Sequence, residues 1–204
     1  MTDRAASTPA DALRLLVDGN ARFAADKRRT GRIDPERRSE LQGSQSPFAT
    51  VLGCSDSRVP FEHVFDAGIG DVFAIRNAGQ IVDEVVLGSI EFAVVALGTP
   101  LVVVLRHTKC GAVAAARSGE PVPAPHLQVL VDAIAPSVER VRATDPDLPQ
   151  ESIGAAHLES SLKAILDRSG AVSDAIAEGR LAVVGATYDL TTGEVTIDTV
   201  VGQA

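Results

Sequence analysis

The chain has 204 residues, with 19 Lys and Arg against 27 Asp and Glu for a formal net charge of −8. That length buries roughly 70% of an unfolded chain's surface, and the acidic balance with 3% aromatic content and no Trp argues against phosphate backbones, anionic membranes and base stacking as partners. No run approaches the roughly 20 apolar residues of a membrane span, and the N-terminal MTDRAASTPADALR lacks the apolar core of a signal peptide, so the expectation is a soluble cytoplasmic protein with no nucleic-acid or membrane partner.

In chain order, a first helix is expected from about Pro9, with Thr8 as N-cap, Pro9 at the first helical position and Leu13, Leu16, Val17 and Phe23 on one face. Gly19-Asn20 is expected to interrupt or end it. Residues 26–47 are highly charged and read as an exposed arm with a short helix near Pro35–Leu41, either a solvated linker or an element that packs on a partner subunit. Residues 1–47 are thus an N-terminal helical arm and 48–204 the main domain.

From Phe48 the pattern changes to short β-branched runs separated by helical stretches, the alternation of parallel strands joined by crossover helices. ATVLG (49–53), DVFAIRN (71–77), LVVVLRH (101–107) and LAVVGATYD (181–189) are the candidate strands. Glu84–Leu97 is apolar around most of its circumference and reads as a buried crossover helix. An Ala-rich helix after Gly111 ends at Ser118-Gly119, and two or three helices fill 126–178, broken by ATDPDLP and Gly170. TYDLTTGEVTIDTV reads as a hairpin turning at Thr192-Gly193. The fold class is α/β: a mainly parallel sheet flanked by helices, with an antiparallel C-terminal edge strand.

Two cysteines cannot make a disulfide framework. Cys54 ends the first strand in GCSDSRVP, and Cys110 follows the third in RHTKCG. Ligands of open α/β sheets gather at the carboxyl ends of strands where the strand order reverses, so both segments can meet in one crevice. Cys54, Asp56, His107 and Cys110 then offer two thiolates, an imidazole and a carboxylate, a set that suits tetrahedral Zn²⁺. Gly111 opens a helix whose positive end favours the Cys110 thiolate. The plainer alternative is a pair of inert core thiols. His63, His126 and His157 read as ordinary surface or satisfied histidines.

Cys-x-Asp-x-Arg followed by His-x-x-Cys-Gly resembles the β-class carbonic anhydrases. The resemblance extends from LLVDGNARF (15–23) through FAIRNAG (73–79) and SIEFAV (89–94) to the C-terminal edge strand. It implies reversible hydration of carbon dioxide to bicarbonate and a proton by hydroxide on zinc, in a homodimer or homotetramer. It further implies that Arg58 pairs with Asp56 and draws it off the metal, leaving a position open for water. If Asp56 ligates zinc instead, water is excluded, so an equilibrium between open and closed sites that shifts closed at low pH is expected. By resemblance Gln45 and the Gly111 amide contact substrate, and Phe73 and Phe92 line an apolar cleft built across a dimer interface. Two thiolates formally neutralise the dication, so bound water is expected to be less acidic than in a three-histidine site, with Asp56 as the local base.

Two positions depart from patterns of the family. Arg106 stands where a Gly usually precedes the zinc histidine, as a bulky residue does in related hydrolases of carbon disulfide or carbonyl sulfide, which are the rival enzyme reading. Val51 stands where bicarbonate-inhibited members carry Trp, so no such bicarbonate pocket is expected. The rival of another class is a closed structural or sensory zinc module, in which Arg58 has no task.

Overall fold

A computed structural model describes residues 6–29 and 33–204. The N-terminal helix α1 (Pro9–Ala24) is capped by the Thr8 side chain, which accepts from the Asp11 amide, with Pro9 at its start. It runs through Gly19-Asn20 instead of ending there. The reason is packing: a Cβ at Gly19 would lie 1.9 Å from the Phe65 carbonyl oxygen, so only Gly lets the helix come this close. Asn20 is buried, donating to the Val64 and Gly193 carbonyls and accepting from the Val195 amide. These two residues join the helix to the body, an effect that local propensity does not register. A short α2 (Pro35–Glu40) follows, capped by Asp34.

The sheet contains β1 (Ala49–Cys54), β2 (Val72–Asn77), β3 (Leu101–His107), β4 (Ala182–Tyr188) and β5 (Val195–Val201), in the order β2-β1-β3-β4-β5. β1, β2, β3 and β4 pair in parallel, and β5 adds antiparallel to β4. After β1 the chain moves to one side to form β2 and returns to the other to form β3. The strand order therefore reverses at β1, and the crevice beyond β1 and β3 is the ligand-binding position of such sheets.

Alternation along β3 divides the core. Leu101, Val103 and Leu105 pack with Leu16, Phe61 and Phe65 on one face, while Val102 and Val104 pack with Ile90, Leu158 and Ile165 on the other. The first face is covered by α1 and α3 (Phe61–Val64), the second by α4 (Glu84–Glu91), α7 (Gln150–Arg168) and α8 (Gly170–Ala177). α5 (Gly111–Ser118) and α6 (Pro125–Arg142) enclose a third cluster that contains both cysteines.

The apolar stretch at 84–97 is not one buried helix. α4 is followed by a π-helical turn, Phe92–Ala96, and only its inner side is covered. Val85, Phe92 and Val95 are 77%, 50% and 69% exposed. Its all-round apolar character therefore reflects an outer face left open in the single chain. No described helix is long and apolar enough to cross a membrane.

Gly19→Ala should lower the unfolding free energy by about 1–3 kcal/mol, because the Phe65 backbone cannot yield as a flexible side chain does. Urea denaturation checks this. A wild-type midpoint would remove the close-approach explanation of why α1 passes through this position.

Candidate metal centre

β1 delivers Cys54 and β3 delivers His107 at the same edge of the sheet, and the turn after β3 leads through Cys110 into α5. All three side chains are buried, and their donor atoms lie within 4.8 Å of one another. The sulfurs are 4.0 Å apart, close to the roughly 3.8 Å separation of two thiolates at 2.3 Å from a tetrahedral zinc. The sequence reading brought these segments together, and the topology agrees.

The imidazole is oriented as a ligand. Its Nδ1 lies 2.9 Å from the Thr108 carbonyl oxygen, which can only accept, so Nδ1 carries the proton and Nε2 presents a lone pair. That Nε2 is buried without a hydrogen-bond partner, an arrangement costly to bury unless something binds it. Cys54 Sγ accepts from the Gly79 amide at 3.3 Å. The hydrogen bond between the two sulfurs lowers the pKa of Cys54 to about 4 and raises that of Cys110, and the Gly79 amide further favours the Cys54 thiolate. Without a metal the two sulfurs thus share a proton in a cage that a soft dication would fill in its place. The donor set fits zinc.

Asp56 stands outside this three-residue group. Arg58 grips it as a fork, Nε to Oδ1 at 2.9 Å and Nη2 to Oδ2 at 2.6 Å, and the Arg58 amide adds a bond of 2.9 Å to Oδ1. These bonds hold the Asp56 carboxyl well below the usual carboxylate range. Its Oδ2 is 3.8 Å from His107 Nε2. The carboxylate is beside the metal position but turned to the guanidinium.

The remaining expected residues are dispersed within the chain. Gly111 is exposed at the first position of α5, where backbone amides are free of intrahelical partners. Gln45 is exposed in the loop before β1, and the strand between it and Cys54 is about 17 Å long. Phe73 is level with Thr50 in the sheet register, roughly 13 Å along the strand from Cys54, and its ring centroid is 6.0 Å from that of Phe92. Arg106 pairs with Glu151 at 3.1 Å. Val51 is fully buried in the core.

Other supporting residues escaped the sequence reading. Arg76 donates to the carbonyls of Cys54 and Asp56 while its guanidinium lies over the Phe61 ring at 4.9 Å. His157 is buried, with Nε2 2.8 Å from the Gly79 carbonyl oxygen, so it supports the peptide segment that serves Cys54. FAIRNAG marked the first of these segments only as a flanking motif, and nothing local distinguished His157 on its helix.

An α/β sheet with a Cys-His-Cys donor set at its switch point defines a class of metal-binding enzyme folds. Residues 49–195 match the carbonic anhydrase family, and the chain belongs to it. It is 41% identical over 201 residues to a carbonic anhydrase of Mycolicibacterium smegmatis, covering 97% of each chain. Carbonic anhydrase 2 of Mycobacterium tuberculosis is 38% identical over 200 residues, covering 97% of this chain and 96% of that one. Among solved structures, a tetrameric β-carbonic anhydrase from Sordaria macrospora superposes with a TM-score of 0.73 at 28% identity, over 80% of this chain and 86% of the other. The β-carbonic anhydrase of Coccomyxa in complex with acetazolamide gives 0.72 at 27% identity, over 80% and 78%.

Burial lowers the pKa of His157 from its ordinary 6.5, an effect opposed by the Gly79 bond and reinforced by Arg140. The unfolded chain therefore takes up a proton below about pH 6.5 that the folded chain refuses, so stability falls as pH falls through that range, by up to about 1.4 kcal/mol per pH unit. His157→Gln, which keeps a donor for Gly79, should flatten that slope below about pH 6.5. Unfolding free energies measured across the range check it, and an unchanged slope refutes it.

Proposed function

We propose that the chain catalyses reversible hydration of carbon dioxide to bicarbonate and a proton, with zinc held by Cys54, His107 and Cys110. The observation that carries this reading is the Asp56–Arg58 fork. Three protein donors leave a tetrahedral ion one place short, and the nearby carboxylate that could fill it is bonded to Arg58. When bound, zinc supplies the Lewis acid that makes water nucleophilic near neutral pH.

The chain's own groups do the rest. Asp56 accepts a hydrogen bond from the attacking oxygen's proton and so aims its lone pair at carbon dioxide. Arg58 fixes that carboxylate with two parallel bonds, a geometry that Lys cannot supply. The Gly111 amide, at the positive end of α5, favours the anionic product. A closed structural zinc module would give the fork no task, and Asp56 would then be expected among the ligands. The carbon disulfide or carbonyl sulfide reading arose from the bulk of Arg106, and that side chain is engaged by Glu151 and Thr187.

Gln45, Phe73 and Phe92 lie too far down the sheet to serve the metal site of their own chain. Phe73 and Phe92 are assigned to the apolar wall, and Gln45 to substrate contact, in a second copy's site, within a homodimer or a homotetramer such as the Sordaria macrospora proteins are described to form. The open apolar face at Val85, Phe92 and Val95 favours such pairing; α1 packs on its own chain, so the part of the 1–47 arm assigned to the neighbour is α2, none of whose residues is buried in the single chain. The two free thiols suit a reducing compartment such as the cytoplasm.

Purified protein should contain one zinc per chain and hydrate carbon dioxide in stopped-flow assays faster than it hydrolyses carbon disulfide or carbonyl sulfide. Asp56→Asn and Arg58→Ala should each retain zinc and lose about 100-fold or more in kcat/KM. Wild-type rates in both would overturn the dyad. Val85→Asp with Val95→Asp should give a zinc-loaded monomer by light scattering with hydration activity lost. A fully active monomer would remove the shared cleft.

A further inference from the structure

The turn His107–Cys110 carries two of the three donors, yet its shape is not one that its residues favour. Lys109 adopts a φ of 56°, a left-handed conformation that a long side chain takes only when its surroundings impose it. What imposes it comes largely from the first turn of α7. Glu151 Oε1 accepts from the Lys109 amide at 3.0 Å, and the neighbouring Gln150 donates from Nε2 to the Cys110 carbonyl at 3.0 Å.

The carboxylate is itself anchored. Its Oε2 accepts from Arg106 Nη1 at 3.1 Å, and the Glu151 carbonyl accepts from the same nitrogen at 3.3 Å. Arg106 Nε donates to Thr187 Oγ1 at 2.7 Å, and that hydroxyl donates to Asp198 Oδ2 at 2.5 Å. The guanidinium passes over α7 where the helix has Gly154, and a Cβ there would fall 2.8 Å from Nη1. Glycine is the poorest non-proline residue inside a helix, and here it makes the room that lets Arg106 reach Glu151.

We infer that Glu151 is a positioning residue for the metal centre: it holds the Lys109 peptide so that His107 and Cys110 face Cys54, and Arg106 holds Glu151. This rests on the reading of those three residues as zinc ligands. Glu151 is half-exposed, so its ion pair contributes little to global stability. Its effect falls on the donors, in the way that outer groups tune metal sites.

The test measures zinc affinity by chelator competition, the visible spectrum of the cobalt-substituted protein, urea unfolding of the metal-free protein, and hydrogen exchange at the Lys109 amide without metal. Glu151→Ala should bind zinc about 10- to 100-fold more weakly, alter the cobalt bands and speed Lys109 exchange, with little change in the unfolding midpoint. Glu151→Gln keeps an acceptor for the amide and should restore most of the affinity. Arg106→Ala should weaken binding by a smaller factor. Wild-type affinity and exchange in Glu151→Ala, or Glu151→Gln no better than Glu151→Ala, would overturn the inference. If Glu151→Ala does not fold, unchanged affinity and exchange in Arg106→Ala would do so. Wild-type protein that binds no zinc would sink the proposed function instead, and Lys109 exchange in the metal-free variants would still decide whether the clamp exists.

Discussion

Two buried sulfurs and a buried imidazole lone pair, brought within 4.8 Å at the end of a parallel sheet, are the constraint on which the remaining structure depends. Thiolates and an unpartnered ring nitrogen are expensive to remove from water, and the hydrogen bond between the two sulfurs and the Gly79 amide offset only part of that cost. Cys54, Cys110 and their apolar neighbours, Val113, Ile134 and Ile153 among them, form one cluster. A soft dication would turn this from an electrostatic liability into a cross-link between β1 and the β3–α5 turn. The sheet's reversal at β1 makes the meeting possible because it opens the crevice on which both segments converge.

Around that cluster, each ligand-bearing segment is fixed by a cation that lies outside the donor set. Arg76 holds the carbonyls of Cys54 and Asp56 and rests on Phe61. Arg58 reaches Asp56 and, at 3.4 Å, the Lys109 carbonyl, tying the first segment to the second. Thr108 is secured from β4, its amide donating to the Tyr188 carbonyl and its hydroxyl accepting from the Leu190 amide. Fixed backbone groups and guanidinium forks suit the proposed reaction, in which one carboxylate orients one water.

The sequence made much of this legible because its signals are local. β-branched runs marked the parallel strands, the Thr192-Gly193 turn marked the edge hairpin, and the pairing of thiols with imidazole and carboxylate at strand ends marked the centre. What it missed depends on contacts far along the chain. Gly19-Asn20 looked like a helix end because propensity is local, whereas the Phe65 carbonyl that demands Gly and the Val195 amide that binds Asn20 are supplied from elsewhere. Residues 84–97 looked buried because periodicity reports how apolar a face is, but not whether this chain covers it. Arg106 was undecided for the same reason: its partners lie on α7 and β4.

On the proposed function, the open face and the dispersed positions of Gln45, Phe73 and Phe92 have one physical explanation. Gln45 lies before β1 and Phe73 level with its start, at the edge of the sheet opposite the donors, so a single chain cannot use one strand to present both metal and wall to the same substrate. Carbon dioxide is small and nonpolar, and an apolar surface near the nucleophile must come from some element other than the strands that carry the ligands. β2 is an edge strand, and Phe92 rests against Phe73, which it carries. A neighbour related by a two-fold axis would bury this apolar edge and, by symmetry, offer its own edge to the first chain's metal site. Burial of that surface and completion of the cleft would then be a single event, and on the proposed reading oligomerisation would be part of the catalytic design as well as a source of stability.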